Sequence, residues 1–264
     1  MSLRTYTGPA PAEQAAPVAV AVGWFLAVAT IALQIAFPLA GDDQRASLAA
    51  FTVVVFYLAS VTHASAYHRW RGFILVGVIV PAIGWGAERI GSTTGFPFGE
   101  YEYTDALGRL LGGVPAVVPL AWAMMAYPAY VAASTVVTRA RWLVPVVTAW
   151  SLMAWDFFLD PMMVELGAWR WTTTSPDLPG IPEIPLVNYA GWFGVGLVIG
   201  LVLLAIPARR ASPAQPATMY LWVYASSVLA SAAFFERPGP AIVGGLAMGL
   251  VALPLVWRLW VDRG

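Results

Sequence analysis

The run AWDFFLDPMMVELGAWRW, from Ala154 to Trp171, sets two aspartates four residues apart inside strongly apolar sequence. On a helix that spacing puts Asp156 and Asp160 on one face. Apolar surroundings and a neighbouring acid both disfavour a charged carboxylate, so such a pair is built to hold and hand over a proton. A third acid, Glu88, ends another apolar run. An aspartate placed mid-membrane costs about 2.5–3.5 kcal/mol, which argues for a cavity lined by protein around these groups. Asp156, Asp160 and Glu88 are therefore the candidate catalytic residues, with proton donation as their chemistry. Glu88 and Glu236 each precede an arginine and have simple ion pairing as the alternative role. Glu100, Glu102 and Asp105 fall in polar loop sequence and are expected in solvent.

Aromatic side chains crowd the same segments. Tyr101, Tyr103, Trp122, Tyr127, Trp155, Trp169, Tyr189 and Trp192 are the candidate ligand-binding residues. Their faces suit a long apolar ligand or a cation. Part of this aromatic set is expected to be an ordinary interfacial belt. The two histidines, His63 and His68, are five residues apart, a poor metal spacing on one helix face, and are expected to be structural. No metal site is expected.

The elements that must position these groups are membrane helices. The 264 residues are 59% hydrophobic and 11% charged, where a soluble domain carries about 25% charged residues. Apolar runs long enough to cross roughly 30 Å of hydrocarbon occur at about Pro17–Ala40, Ser47–Ala66, Gly72–Ile90, Val114–Val137, Trp142–Met163, Val187–Pro207, Ala217–Phe235 and Pro240–Trp260. The fold class is all-α, a polytopic membrane bundle of eight helices in one domain over 17–264, after a polar, disordered tail over 1–16. A seven-helix count breaks the alternation of charge. With both termini on one side, that side holds nine arginines (Arg4, Arg69, Arg71, Arg139, Arg141, Arg209, Arg210, Arg258, Arg263) against five on the other. The positive-inside rule then places the termini in the cytoplasm. The ends of odd-numbered helices share one level, outward, which is where Glu88, Asp156, Asp160 and Glu236 fall. The long loops Gly91–Gly113 and Leu166–Leu186 lie at that end. Pro161 is expected to kink or end its helix, because it deprives the Phe157 carbonyl of a partner.

Absences narrow the chemistry. There is no cysteine, so thiolate nucleophiles, disulfides and cysteine-ligated clusters are excluded. All 14 basic residues are arginine, so no lysine Schiff base can form. A net charge of zero gives no sign of nucleic-acid binding. The run GVGLVIG (Gly194–Gly200) sits inside an apolar span and reads as small-residue helix packing rather than a nucleotide fingerprint.

Three blocks carry a family resemblance: ERIGSTTGFPFGEYEYTDALGRLLGGVPAVVPLAWAMMAYPAY (Glu88–Tyr130), the Ala154–Trp171 run, and GIPEIPLVNYAGWFGVG (Gly180–Gly196). In this order they resemble the CruF-type carotenoid hydratases, over a little under half of the chain. The first two and last two helices carry no comparable signature. The resemblance implies a membrane enzyme that adds water to the terminal C=C bond of an acyclic carotenoid end. Its substrate would be an acyclic or monocyclic carotenoid, its co-substrate water, and no organic cofactor is implied. Glu88, Tyr101, Tyr103, Trp122, Asp156, Asp160, Asn188 and Tyr189 are the positions carried over from the motif blocks.

Protonation of an unactivated trisubstituted alkene gives a tertiary cation that water then captures. Asp156 or Asp160 is expected to donate that proton, and the partner carboxylate or Glu88 to activate the water. Rival readings are a membrane prenyltransferase, which would need a second acid-rich motif, and a cyclase closing a ring from the same cation. A non-enzymatic pigment-binding protein or a proton-coupled transporter using the acids as a relay is the third. Which carotenoid is used, and the oligomeric state, are not legible.

Overall fold

A computed structural model describes residues 15–206 and 211–261. Arg4, Arg209, Arg210 and Arg263, and the expected tail up to residue 14, lie outside the described residues. Five described arginines stand at each end of the bundle, so the expected charge asymmetry rests on those four.

Among the described residues there are eight α-helices: α1 (Pro17–Ala36), α2 (Asp42–Gly72), α3 (Val80–Thr94), α4 (Val118–Val136), α5 (Val144–Glu165), α6 (Leu186–Leu203), α7 (Ala214–Ala233) and α8 (Pro238–Val261). The protein is an all-α membrane bundle. Five helical stretches are long and apolar enough to cross a membrane, and one of them, Asp42–Thr94, runs for 53 residues. That stretch is a hairpin rather than one rod. Tyr57 Oη donates to the Gly77 carbonyl at 2.6 Å, 20 residues along, where a straight helix would separate them by about 30 Å. The chain reverses at Arg69, whose φ of 54° is non-helical, and climbs back through a π-helical turn, Phe73–Ile79, into α3.

Neighbouring helices are antiparallel, so the C-terminal ends of the odd-numbered helices and the N-terminal ends of the even-numbered ones share one end of the bundle. Phe37 after α1 meets Phe235 after α7 there, and α3 meets the start of α4 through Glu88 and Trp122. Helix α4 is buried on nearly every side, from Val118 to Ser134, and forms the axis of the bundle. Lipid-like surface lies instead on α1 (Val18, Phe25, Val28) and α8 (Leu246, Leu250, Leu253), whose large apolar side chains are exposed. As expected for GVGLVIG, Gly196 and Gly200 let α6 press onto Ala149 and Pro145 of α5.

One alternative is corrected: helix α5 does not end at Asp160 but continues through Pro161 to Glu165. Its last turn is anchored from outside, by the Trp169 indole on Asp160 and an ion pair between Arg237 and Glu165. The long loops carry short strand pairs. Strand β1 (Tyr101–Tyr103) pairs antiparallel with β4 (Trp169–Trp171), setting Tyr101 opposite Trp171 and Tyr103 opposite Trp169. Side chains alternate along a strand, so these four rings point into the bundle while Glu102 and Arg170 face outward, 3.3 Å apart. Two shorter pairs, β2 (Leu110–Leu111) with β3 (Val114–Pro115) and β5 (Asp177–Leu178) with β6 (Ile181–Pro185), complete a cap over this end.

Candidate active site

Two glycine-to-side-chain fits on α3 explain how Glu88 is held. Gly84, Glu88 and Gly91 recur at helical spacing and present one face. A Cβ at Gly84 would stand 2.6 Å from Cδ1 of Trp122, and one at Gly91 would stand 2.8 Å from Oη of Tyr101. The missing side chains are the space those two rings occupy. Trp122 then donates from Nε1 to Glu88 Oε1 at 2.9 Å, while Tyr101 and Tyr103 donate to Oε2 at 2.6 and 2.7 Å. Burial, reinforced by the nearby Glu88 carboxyl, pushes both phenols above the ordinary tyrosine range, so they stay protonated and act as donors. Glu88 is thus a buried carboxyl acceptor with three donors from two elements, one on α4 and two on β1.

The aspartate pair is organised by α6. Asn188 stands in the first turn of that helix and its Nδ2 donates to Asp156 Oδ2 at 2.8 Å and to Asp160 Oδ2 at 2.5 Å. One amide group has two hydrogens, one for each carboxyl. Trp169 on β4 adds a third donor, to Asp160 Oδ1 at 3.2 Å. All three acids and Asn188 are buried, with Asp156 at 0% exposure.

This cluster borders an open-mouthed cavity. Glu88, Asp160 and Asn188 line one end of it, beneath Tyr101, Tyr103 and Trp169 of the cap. Trp122 and Trp192 stack at 4.0 Å on its wall, and Trp155 stands edge-on to Trp192 at 5.9 Å. From there the space crosses α4 at Val118, Ala121 and Met124 and reaches α1, α2 and the serine-bearing face of α7. Such a transverse, mostly apolar cavity with polar groups at one end is the form of a site for a long apolar molecule.

Most sequence-predicted residues converge here, and three do not line the cavity. Asp156 is sealed behind Asp160. Tyr189 packs its ring on Phe157 at 4.5 Å, and its hydroxyl has no partner among the described residues. Tyr127 lies deeper in α4, where its hydroxyl meets His63 Nδ1 at 2.9 Å. The other ring nitrogen of His63 faces the Ser212 carbonyl at 3.1 Å. A carbonyl only accepts, so Nε2 carries the hydrogen and Nδ1 accepts from Tyr127. This ties α2, α4 and the start of α7 together at the far end, the structural part expected of His63. Glu236 is exposed and does not line the cavity.

Lining residues not singled out as binding residues include Phe98, Met163, Trp171 and Arg237. Trp171 Nε1 donates to the Phe98 carbonyl at 3.0 Å, locking the two cap loops. The alternation Tyr101, Tyr103 and Trp169, Trp171 in the sequence was the signal for it.

Comparison with known proteins adds the following. The model of a family described as carotenoid biosynthesis protein matches residues 45–252. A curated relative, the bisanhydrobacterioruberin hydratase of Haloarcula japonica, is 33% identical over 144 residues, covering 51% of this chain and 45% of that protein. The chain therefore matches a little under half the length of that relative. No solved structure matches.

Proposed function

The chain belongs to the carotenoid biosynthesis protein family, and on that premise we propose that it is a cofactor-independent hydratase acting on the terminal C=C bond of an acyclic carotenoid end. The observation that carries this reading is the meeting of a hydrogen-bonded aspartate pair and a separately held glutamate on one aromatic-lined cavity inside a membrane bundle. The resemblance to a named hydratase, over half of this chain, supports it.

The end of the polyene lies under the cap, between Asp160 and Glu88. A proton passes through Asp160 to the less substituted alkene carbon; the π bond breaks, a C–H bond forms and a tertiary cation remains. The faces of Trp122, Trp155 and Trp192 and the carboxylate of Glu88 stabilise that cation, which forms in surroundings already oriented for it. Water adds to the cation, and Glu88 accepts the proton it sheds. After the tertiary alcohol leaves, the proton returns across the cavity to the aspartate pair, so water is the net addition. The bundle sits in the cell membrane with both termini cytoplasmic and the cap outside.

The test is pigment mass spectrometry in a host accumulating an acyclic carotene, with parent, Asp160→Asn and Glu88→Gln compared. Gain of one water per end in the parent, lost in both variants, is the expected result. An isomer of unchanged mass would instead identify a cyclase using the same cation. An unaltered pigment with several acyclic substrates would overturn the enzymatic reading.

A further inference from the structure

Hydration starts from one proton, and three carboxyls stand close enough to own it. A carboxylate has acceptor oxygens only, whereas a carboxylic acid has one donor. Asn188 Nδ2 reaches one oxygen of Asp156 and one of Asp160, at 2.8 and 2.5 Å, so the two buried carboxyls stand side by side, where one proton held by the pair relieves the repulsion of two like charges. The N–H donors decide on which side. Both oxygens of Asp160 accept one, from Trp169 and from Asn188. Asp156 accepts one at Oδ2, and its Oδ1 has no partner among the described residues. Glu88 accepts three. Negative charge is best placed where charge-assisted donors point, on Glu88 and Asp160, and the proton is best placed on Asp156.

From this geometry we infer that Asp156 is a buried proton store which loads Asp160 from behind, and that Asn188 is the positioning residue that holds the two carboxyls in line. Asp156 does not line the cavity, so it acts on substrate only through Asp160. On loading, the Asp156 O–H bond breaks and an Asp160 O–H bond forms. On delivery, the Asp160 O–H bond breaks as the C–H bond forms. The proton collected by Glu88 later returns by the same route, and no other reactant is needed. Asn188 donates to both partners at once, so it fixes their separation whichever of them is charged.

The kinetic arm of the test rests on the hydratase reading; the spectroscopic arm does not. Infrared spectra of the purified protein in lipid, in H2O and in D2O, report the carbonyl stretch of a protonated carboxyl. The expected result is a deuterium-sensitive band in the parent that persists in Glu88→Gln, persists but shifts in Asp160→Asn, and vanishes in Asp156→Asn. Asp156→Glu moves the band instead of removing it, which assigns it even if the asparagine variant does not fold. A band lost in Asp160→Asn but kept in Asp156→Asn would overturn the inference, as would a parent with no such band. In turnover, Asp156→Asn lowers kcat by about 10²- to 10⁴-fold and leaves KM for the carotene within about twofold, because Asp156 does not contact the cavity. Asn188→Leu lowers kcat in the same sense, and Asn188→Gln restores part of it. If the parent forms no water adduct, the hydratase reading fails while the infrared assignment still stands or falls by itself.

Discussion

Gly84→Ala puts a single methyl group into the contact that seats Trp122, and its effect follows from the distances. The added Cβ would stand 2.6, 2.7 and 2.9 Å from Cδ1, Cγ and Cβ of Trp122. Ordinary carbon contacts lie at about 3.5–4.0 Å, so the indole must retreat by roughly 1 Å. Its neighbours leave little freedom, since Trp122 is 1% exposed and stacked on Trp192. A retreat of that size takes the 2.9 Å bond from Trp122 to Glu88 past the useful limit of about 3.5 Å. A hydrogen bond to a charged group contributes about 1.5–3 kcal/mol. If all of it acts on the step in which Glu88 accepts the water proton, 2 kcal/mol is about a 30-fold loss in kcat. Overpacking adds about 1–3 kcal/mol of destabilisation. The assay is turnover of a defined acyclic carotene in proteoliposomes, with thermal unfolding of the same samples. Trp122→Phe removes the donor and keeps the bulk, so it should show the kinetic loss with a smaller fall in Tm. The double variant should be little worse than the worse single one, because both act on one contact. A Gly84→Ala protein with kcat within twofold of the parent would refute the claim that the Trp122 bond tunes Glu88.

Four further outcomes are expected. Tyr101→Phe and Tyr103→Phe each remove one donor from Glu88 Oε2 and should each lower kcat about 10-fold or more, the pair together exceeding either alone, read in the same turnover assay. Tyr127→Phe, remote from the cavity, should leave kcat unchanged and lower stability by about 1 kcal/mol, seen as a drop in Tm. Gly200→Ala drives a methyl to within 2.8 Å of Pro145 Cα on the facing backbone; it should cost about 1–3 kcal/mol of stability while the folded fraction keeps its kcat. Glu165→Gln loses an ion pair whose glutamate is more than half exposed, so its Tm should change by little more than the scatter of the measurement.

The pairing of Asp156 with Asp160 was legible because helical spacing alone fixes which face a side chain shares. So was their meeting with Glu88, because antiparallel helices of similar length must bring alternate ends to one level. Tyr127 shows where the same rule was not pressed far enough. It lies five residues beyond Trp122, about 140° around the helix, and so points away from the cavity toward His63. Asn188 and Tyr189 are neighbours on a helix and turn about 100° apart, which is why one reaches the aspartates and the other packs on Phe157. The seats at Gly84 and Gly91 were not legible. A glycine in an apolar span reads as close packing in general, and nothing local says which ring it receives. The strands of the cap are short and pair across about 70 residues of chain, so no local periodicity could have joined them. Pro161 reads as a helix breaker locally, yet α5 runs through it to Glu165.

The cap and the acids depend on each other. Three buried carboxyls in a membrane bundle are costly unless donors reach them, and of the three donors to Glu88 two come from β1 while the third comes from α4. Asp160 draws one of its two N–H donors from β4. Since β1 and β4 are paired to each other, losing that pairing would withdraw donors from Glu88 and Asp160 together. The helices alone can bring the acids to one level, but the strand pair completes their hydrogen bonding and roofs the cavity in the same step. A closed cap and a competent set of acids are therefore one state of the protein. Disrupting the pair at its exposed positions, Glu102 and Arg170, tests this without touching the cavity. Glu102→Pro withholds a backbone N–H from the ladder and should lower kcat and weaken carotene binding together, whereas Glu102→Gln, which removes only a solvent-exposed ion pair, should leave both unchanged. A proline variant that binds and turns over carotene like the parent would separate the cap from the chemistry.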